Sequence, residues 1–268
     1  MTELFRVPVA STGGHFACTS PAKDVYLLSF QSVPDNRTTS DFLSAYLLSL
    51  NIIEAKYPGG VLITTSAIAK FFSNGLDLEH TMSTPDFFRD RFNPIIRKLL
   101  TFPMPTIALM NGHAFGAGVF LAAAHDYRIQ NGSKGFICLP EVDMGILLPS
   151  TLAILVKQKL LAPNVYRDLT LEGRRVNGPE ALAYGLVDGL GGLEEVLKLI
   201  SDRKLIQKSK AGAIGGLKED AYREIITAID GYDQDAEWRD ALEKRKKADA
   251  AKNEELVAQW EKKSGSKL

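Results

Sequence analysis

Two segments rich in small residues are the places where this chain could direct backbone N–H groups at a ligand. Residues 72–78 read Phe-Ser-Asn-Gly-Leu-Asp-Leu and follow the apolar run 61–65, and residues 111–118 follow the apolar run 106–110. Glycines in such loops let the main chain approach a ligand closely, and a loop that opens a helix also favours negative charge. Either segment alone could equally be a tight turn needed only for packing.

A third candidate is the carboxylate of Glu141, in the run Pro-Glu-Val-Asp-Met-Gly at 140–145. Such a side chain can act as a general base or acid beside a reacting carbon. Residues for other chemistries are missing: Cys18 and Cys138 form no CxxC pair, the four histidines are scattered, and no GxGxxG dinucleotide fingerprint is present. We therefore expect no metal and no separate cofactor.

The composition is that of one large globular domain with room for an appendage. The chain has 268 residues, 45% hydrophobic and 24% charged, and its 32 basic and 32 acidic residues cancel. Zero net charge gives no global field to recruit nucleic acid. No run approaches the ~18 apolar residues of a membrane span, and the first residues lack the apolar core of a signal peptide. We expect a soluble intracellular protein with no nucleic-acid partner and no membrane insertion.

Apolar β-rich runs alternate with helical patterns, which predicts an α/β protein. Strands are expected at 25–30, 61–65, 106–110, 127–129 and 135–138. Helices are expected at 41–55, 87–100, 119–124, 151–160, 164–170, 179–184 and 193–202. A long charged helix is expected at 235–263, either solvated or packed against a neighbouring subunit. The predicted organisation is a core over residues 1–200 and a helical region over residues 201–268.

Four motifs in order resemble the crotonase (enoyl-CoA hydratase/isomerase) superfamily. Its F-x-x-G-x-D-L turn is matched by residues 72–78, and its N-G-x-x-x-G-x-G segment by residues 111–118. Its P-E-x-x-x-G segment is matched by residues 140–145, and its L-x-G-R…A-x-x-x-G-L-V-D stretch by residues 171–188. The resemblance extends from about residue 22 to residue 200.

The resemblance implies a crotonase-type spiral of ββα units with C-terminal helices that assemble a homotrimer or homohexamer. It implies an acyl-CoA thioester as substrate, with coenzyme A as part of that substrate. The implied oxyanion hole consists of the backbone N–H groups of Leu76 and Ala117, the latter replacing a common glycine without loss of its N–H. The implied substrate-binding residues are Asn74, Gly75, Leu76, Asp77, Leu78 and Phe120.

The reaction type depends on which acids the family pattern retains. Hydratases of the family use two glutamates, and the position of the first is Phe120 here, whereas the second is Glu141. Dienoyl-CoA isomerases carry acids at the positions of Phe120 and Pro149, and some fungal enoyl-CoA isomerases carry their base at the latter. The single remaining carboxylate is similar to that of mitochondrial and plant enoyl-CoA isomerases. The resemblance therefore implies a Δ3,Δ2-enoyl-CoA isomerase with Glu141 as its proton shuttle.

Alternatives remain at this point. Another crotonase activity, hydratase or dienoyl-CoA isomerase, is one; a crotonase-fold scaffold or RNA-binding protein without turnover is another. Asp77 and Asp143 lie near the motifs and are expected to be structural. Ser266-Lys267-Leu268 at a free carboxyl terminus is the peroxisomal address that an import receptor reads, so the sequence predicts the peroxisomal matrix and a role in β-oxidation of unsaturated fatty acids.

Overall fold

The fold is built on a seven-stranded sheet. A computed structural model describes residues 2–57, 59–159 and 162–265. In their spatial order, the strands of this main sheet are β1 Thr2–Val9, β2 Gly14–Ala22, β3 Val25–Gln31, β4 Val61–Ser66, β6 Thr106–Met110, β8 Tyr127–Gln130 and β10 Gly189–Leu190. β1 and β2 run antiparallel to their neighbours, and the others are parallel from β3 onward.

A second, smaller sheet contains β5 (Phe71–Ser73), β7 (His113–Phe115) and β9 (Ile137–Cys138), all parallel. Each of these strands directly follows a main-sheet strand along the chain, and each leads into a helix. Three successive ββα units therefore stack beside one another. Since the strands are parallel and short, their carboxyl ends come together at one edge.

The helices up to residue 230 are α1 Ser40–Lys56, α2 Leu78–Ser83, α3 Asn93–Leu100, α4 Ala117–Ala123, α5 Ser150–Lys159, α6 Pro163–Thr170, α7 Gly178–Ala183, α8 Leu193–Asp202, α9 Leu205–Lys210, α10 Ile214–Ala221 and α11 Arg223–Asp230. A π-helical turn, Phe88–Phe92, precedes α3. No described helix is long and apolar enough to cross a membrane.

The two faces of the main sheet are covered by different helices, as the alternation of side chains along a strand requires. On one face, an aromatic cluster joins strands and α1: Phe16 packs on Phe42 with ring centroids 4.9 Å apart and on Tyr46 at 5.1 Å. On the other face, Ile63 and neighbouring strand residues share a buried cluster with Val196 of α8. This two-sided burial gives a rigid base for the loops at the sheet edge.

Most expected elements are present within one or two residues, and β6 and α8 have the expected bounds. Three differences stand out. The sequence does not predict the antiparallel pair of β1 and β2. The helix expected at 87–100 is a π-helical turn followed by α3. The helices α9 to α11 lie in a region for which the sequence predicts helical structure but no individual helix bounds.

Two compact units are distinguished, Met1–Ile229 and Asp230–Leu268. The expected boundary between residues 200 and 201 stays a prediction. The second unit is described by α12, Tyr232–Ser264, which agrees with the long helix expected at 235–263. The expected targeting tripeptide, Ser266 to Leu268, lies outside the described residues.

Candidate active site

The carboxyl ends of β5, β7 and β9 deliver three segments to one cavity of about 230 Å³. Leu76 follows β5, Ala117 follows β7, and Glu141 follows β9; all three line this cavity. The small sheet therefore brings together Leu76, Ala117 and Glu141, three residues that the sequence singled out. Along the chain, up to 65 positions separate them, from residue 76 to residue 141.

The Gly75–Leu76 peptide is held from one side by Thr38. The backbone N–H and the hydroxyl of Thr38 both donate to the carbonyl of Gly75, at 2.9 and 3.2 Å. Because a trans peptide is planar, the N–H of Leu76 points away from Thr38. Gly75 has φ +83°, and a β-carbon there would lie 2.8 Å from the carbonyl oxygen of Phe115. Only glycine permits this approach of the two loops.

The Gly116–Ala117 peptide is oriented by the start of α4. Gly116 donates to the carbonyl of Cys138 at 3.0 Å, and its own carbonyl accepts from the N–H of Val119 at 2.9 Å. With that carbonyl turned into the first turn of the helix, the N–H of Ala117 points the opposite way. Residue 116 has φ +48° and ψ −118°, which again suits glycine.

Glu141 is an acid in an apolar environment. Its Oε2 atom is buried and has no hydrogen-bond partner among the described residues. Removal from water raises the pKa of the carboxyl above its usual range, and a backbone hydrogen bond opposes this only in part. A carboxyl with a raised pKa is well suited both to accept and to return a proton near neutral pH.

A second cavity of about 270 Å³ adjoins the first. The two share Leu76, Leu78, Ala117, Glu141 and Ile146 as lining residues. The remaining walls of the second cavity are almost wholly apolar, and we call it the apolar arm; they are Thr81, Met82, Phe88, Phe120, Leu147, Leu148, Pro149 and Leu152. Glu141 and the two candidate backbone donors thus lie where the first cavity meets the apolar arm.

Phe120 and Pro149, the positions where related enzymes carry further acids, both line the apolar arm. Phe120 is only 2% exposed and lies in the middle of α4. Glu141 is the one carboxylate that lines either cavity among the described residues. Groups of three or more potential metal-ligating side chains are likewise absent from the part of the chain that is described.

The other predicted residues have different positions. Asn74, Gly75 and Leu78 line the first cavity. Asp77 is the N-cap of α2, its carboxylate accepting from the N–H of His80 at 3.0 Å, and it lines neither cavity. Asp143 also lines neither cavity and lies on the exposed turn after Glu141.

Sequence reasoning missed two cations that line the first cavity, Arg37 and Arg175. Arg37 belongs to the loop between β3 and α1 and donates to the carbonyl of Leu76 at 2.8 Å. The guanidinium of Arg175 lies 5.8 Å from the centre of the Phe115 ring. Arg175 lies inside the fourth motif, residues 171–188, which was a signal that could have pointed to it. Arg37 belongs to none of the four motifs and reaches the site through tertiary contacts.

Comparison with known proteins agrees with this architecture. The sequence profile of the family described as enoyl-CoA hydratase/isomerase matches residues 24–263. The chain therefore belongs to the enoyl-CoA hydratase/isomerase family. The resemblance stated from the four motifs, and the α/β crotonase fold that it implied, are confirmed.

Several of the similar proteins are isomerases by name. Enoyl-CoA delta isomerase 2, peroxisomal, of Arabidopsis thaliana is 32% identical over 216 residues, covering 75% of this chain and 90% of that protein. Enoyl-CoA delta isomerase 3 of the same plant is 29% identical over 219 residues, covering 77% and 92%. The crystal structure of human mitochondrial delta3-delta2-enoyl-CoA isomerase superposes with a TM-score of 0.71 at 21% identity, covering 94% and 99%, and supports the fold.

Proposed function

We propose that this protein is a Δ3,Δ2-enoyl-CoA isomerase, which converts 3-enoyl-CoA to trans-2-enoyl-CoA. The observation that carries the proposal is the junction of the two cavities, which Leu76, Ala117 and Glu141 all line. A thioester carbonyl at this junction would be near two backbone donors and one acid. Its acyl chain would extend into the apolar arm, and its coenzyme A portion would extend through the first cavity, past Arg37 and Arg175. The isomerase relatives support the same assignment.

The proposed reaction is a proton transfer from C2 to C4. The carboxylate of Glu141 removes a proton from C2, and the electron pair spreads over the thioester and the adjoining double bond as a dienolate. The N–H groups of Leu76 and Ala117 donate to the enolate oxygen; losing one such donor typically costs about 3 kcal/mol of transition-state stabilisation. The protonated Glu141 then returns the proton to C4, and the double bond lies between C2 and C3.

Isomerisation needs one acid, whereas hydration needs a held and activated water. Phe120 and Pro149 line the arm at the places where a second acid would stand in other members. Neither side chain can orient or deprotonate water. The isomerisation involves no net oxidation or reduction and neither adds nor removes water, so the proposed proton transfer requires no separate cofactor. Coenzyme A enters as part of the substrate.

The direct test is ultraviolet absorbance with trans-3-hexenoyl-CoA, because the conjugated 2-enoyl thioester absorbs where the substrate does not. We expect formation of trans-2-hexenoyl-CoA by the protein, and little or no 3-hydroxyacyl-CoA when trans-2-hexenoyl-CoA is supplied. Rapid hydration in the second assay would favour the hydratase alternative. Tight acyl-CoA binding without turnover in either assay would favour a non-catalytic binding protein.

We further propose a peroxisomal matrix location and a role in β-oxidation of unsaturated fatty acids. Support comes from Ser266-Lys267-Leu268 and from the relative that is named as peroxisomal. A fluorescent protein that ends in the last residues of this chain should enter peroxisomal puncta through an import receptor. The same fusion without Leu268 should stay in the cytosol; a diffuse signal with the full tripeptide would contradict the proposal.

A homotrimer or homohexamer is proposed as the assembly. Within α12, Trp238, Leu242, Leu256 and Trp260 recur at helical spacing and so share one face. Such a face would suit contact with a neighbouring subunit in a closed assembly. Light scattering at micromolar concentration should give the mass of three or six chains, and a monomer would exclude this assembly.

A further inference from the structure

The loop that carries the Leu76 donor is held by hydrogen bonds from residues 35–38, which connect β3 to α1. The backbone N–H of Asn74 donates to the carbonyl of Asp35 at 3.0 Å, and its side-chain amide donates to the Asp35 carboxylate at 2.5 Å. Arg37 donates to the carbonyl of Leu76 at 2.8 Å. The Asp35 carboxylate in turn accepts from Arg37 Nε at 3.2 Å. The two loops form one connected polar network.

The inner part of this network is buried. Asn36, which is 0% exposed and has φ +57°, donates from its amide to the carbonyl of Phe72 at 3.1 Å. Its own carbonyl accepts from the hydroxyl of Ser73 at 2.8 Å. The same Ser73 oxygen accepts from the N–H of Gly75 at 3.2 Å. The backbone that leads into the Leu76 donor is therefore fixed residue by residue from 72 to 76.

Thr38 has a special place in this network, because it bonds to the donor peptide itself. Its backbone N–H and its hydroxyl converge on the carbonyl oxygen of Gly75, at 2.9 and 3.2 Å, and its side chain is fully buried. The carbonyl of Gly75 and the N–H of Leu76 belong to one planar peptide. Donation to the carbonyl end polarises that peptide and makes the N–H at its other end a stronger donor.

We propose that Thr38 is a positioning residue for the oxyanion hole: its hydroxyl orients and polarises the Gly75–Leu76 peptide, so that the Leu76 N–H binds an enolate oxygen more strongly than a neutral carbonyl oxygen. Thr38 touches no reacting atom and acts only through that peptide. The inference rests on the proposed function in assigning Leu76 as a donor. It adds Thr38 as the residue that strengthens the Leu76 donor. It predicts that the Thr38 hydroxyl affects stabilisation of the charged enolate rather than binding of the neutral substrate.

The test uses Thr38→Val, which keeps the size and the backbone N–H of residue 38 but removes the hydroxyl donor. Since one bond to the Gly75 carbonyl remains, we expect a loss smaller than that of a whole oxyanion donor, about three- to tenfold in kcat. KM should change by less than about twofold, because the interaction strengthens with charge in the transition state. Thr38→Ser, which restores the hydroxyl, should recover the rate.

A second readout does not depend on turnover. Acetoacetyl-CoA ionises to an enolate with its own ultraviolet absorbance, so the enolate fraction of the bound ligand reports on the oxyanion donors alone. Thr38→Val should lower the ratio of enolate to neutral ligand by the same factor as kcat, and Thr38→Ser should restore it. If the protein binds the enolate but does not isomerise 3-enoyl-CoA, the proposed function fails while this inference is still tested.

The matched control is Thr39→Val. Thr39 caps α1 by accepting from the N–H of Phe42 at 3.3 Å, so its loss should lower the melting temperature while kcat and the enolate fraction stay at the wild-type level. A Thr38→Val protein that melts lower but keeps both readouts would overturn the inference, as would a change in KM alone. Absence of any bound enolate in the wild-type protein would overturn it as well.

Discussion

Gly116 faces Glu141 across the candidate site: a β-carbon at residue 116 would lie 3.3 Å from Oε1 of Glu141. A real β-carbon rarely comes this close to another atom, so a side chain at residue 116 would require the carboxylate to shift by a few tenths of an ångström. The same glycine precedes the proposed Ala117 donor and has φ +48°. Glycine at residue 116 is therefore favoured on two counts, its positive φ and its closeness to the acid.

The first prediction concerns Gly116→Ala. The new methyl group should displace the Glu141 carboxylate and strain a backbone with φ +48°, so we expect a loss of at least about 10-fold in kcat for 3-enoyl-CoA. Gly212→Ala is the control, since Gly212 has φ +78° and nothing within 4 Å of an added β-carbon. The control should lose stability but keep kcat. Equal effects of both substitutions on kcat would show that the contact with Glu141 is unimportant.

Much of the site could be predicted from the sequence, because its parts are local. The two glycine loops and Glu141 follow strands directly, and parallel strands bring their carboxyl ends to one edge. The Thr106–Met110 strand has a continuous apolar run that predicts it well. What could not be predicted depends on contacts distant in sequence: Thr38 and Arg37 reach the site through hydrogen bonds to residues 37 and 39 positions away.

Other parts of the fold have weak local signals. The strand His113–Phe115 is only three residues long and lies within a glycine-rich loop, so no alternation of side chains marks it. The π-helical turn at Phe88–Phe92 continues directly into α3, and the apolar residues of the two segments together have the spacing of one ordinary α-helix. The pairing of β1 with β2 has a weak sequence signal, because buried and exposed side chains alternate in only part of the outer strand β1. The pair is recognised once β2 is known to pair with β3.

The second prediction concerns pH. Burial raises the pKa of Glu141 above its ordinary value of 4.5, and the base must be deprotonated to begin the reaction. kcat/KM should therefore rise with pH through an apparent pKa above 4.5 and fall off on the acid side. A profile that is flat down to pH 4.5, or an apparent pKa at or below that value, would contradict the burial of the catalytic carboxyl.

The same shift has a consequence for stability. A carboxyl whose pKa is higher in the folded state than in the unfolded state stabilises the fold fully below its unfolded pKa, and that contribution is lost as pH rises through the folded pKa. The melting temperature of the wild-type protein should thus decline relative to that of Glu141→Gln as pH increases above 4.5. If the melting temperature of the wild-type protein instead rises relative to that of Glu141→Gln as pH increases, the fold stabilises Glu141 as a carboxylate and the expected shift is wrong.

The third prediction concerns Phe120, which is buried on the wall of the apolar arm that also contains Glu141. Phe120→Glu adds a second carboxylate near the first, so slow hydration of trans-2-enoyl-CoA should appear while isomerase turnover falls. The buried carboxylate should also lower stability. Phe120→Gln, similar in size but not a base, should lose isomerase turnover without gaining hydratase activity. Substantial hydration by the unmutated protein would contradict this view of residue 120.

The fourth prediction concerns the apolar arm. Leu148 lines the arm but not the first cavity, so Leu148→Trp should narrow the arm alone. Turnover of trans-3-dodecenoyl-CoA should fall several-fold more than turnover of trans-3-hexenoyl-CoA, because only the longer chain needs the far end of the arm. Leu217→Trp, at an exposed position that lines neither cavity, should leave both rates unchanged. Equal losses for both substrates would place the acyl chain elsewhere.

Glu141 is the centre of the proposed mechanism, and Glu141→Gln tests it most directly. The variant keeps size and hydrogen-bonding capacity but removes the base, and one group performs both proton transfers. kcat should fall by at least about 10³-fold, while acyl-CoA affinity changes little because the backbone donors and the cleft remain. Asp143→Asn, two residues along the same turn, should keep wild-type turnover. General acid–base catalysis typically contributes at least ~10²-fold to the rate. If Glu141→Gln retains more than about a tenth of wild-type kcat, its loss is too small for that role, and the proton is carried by another group.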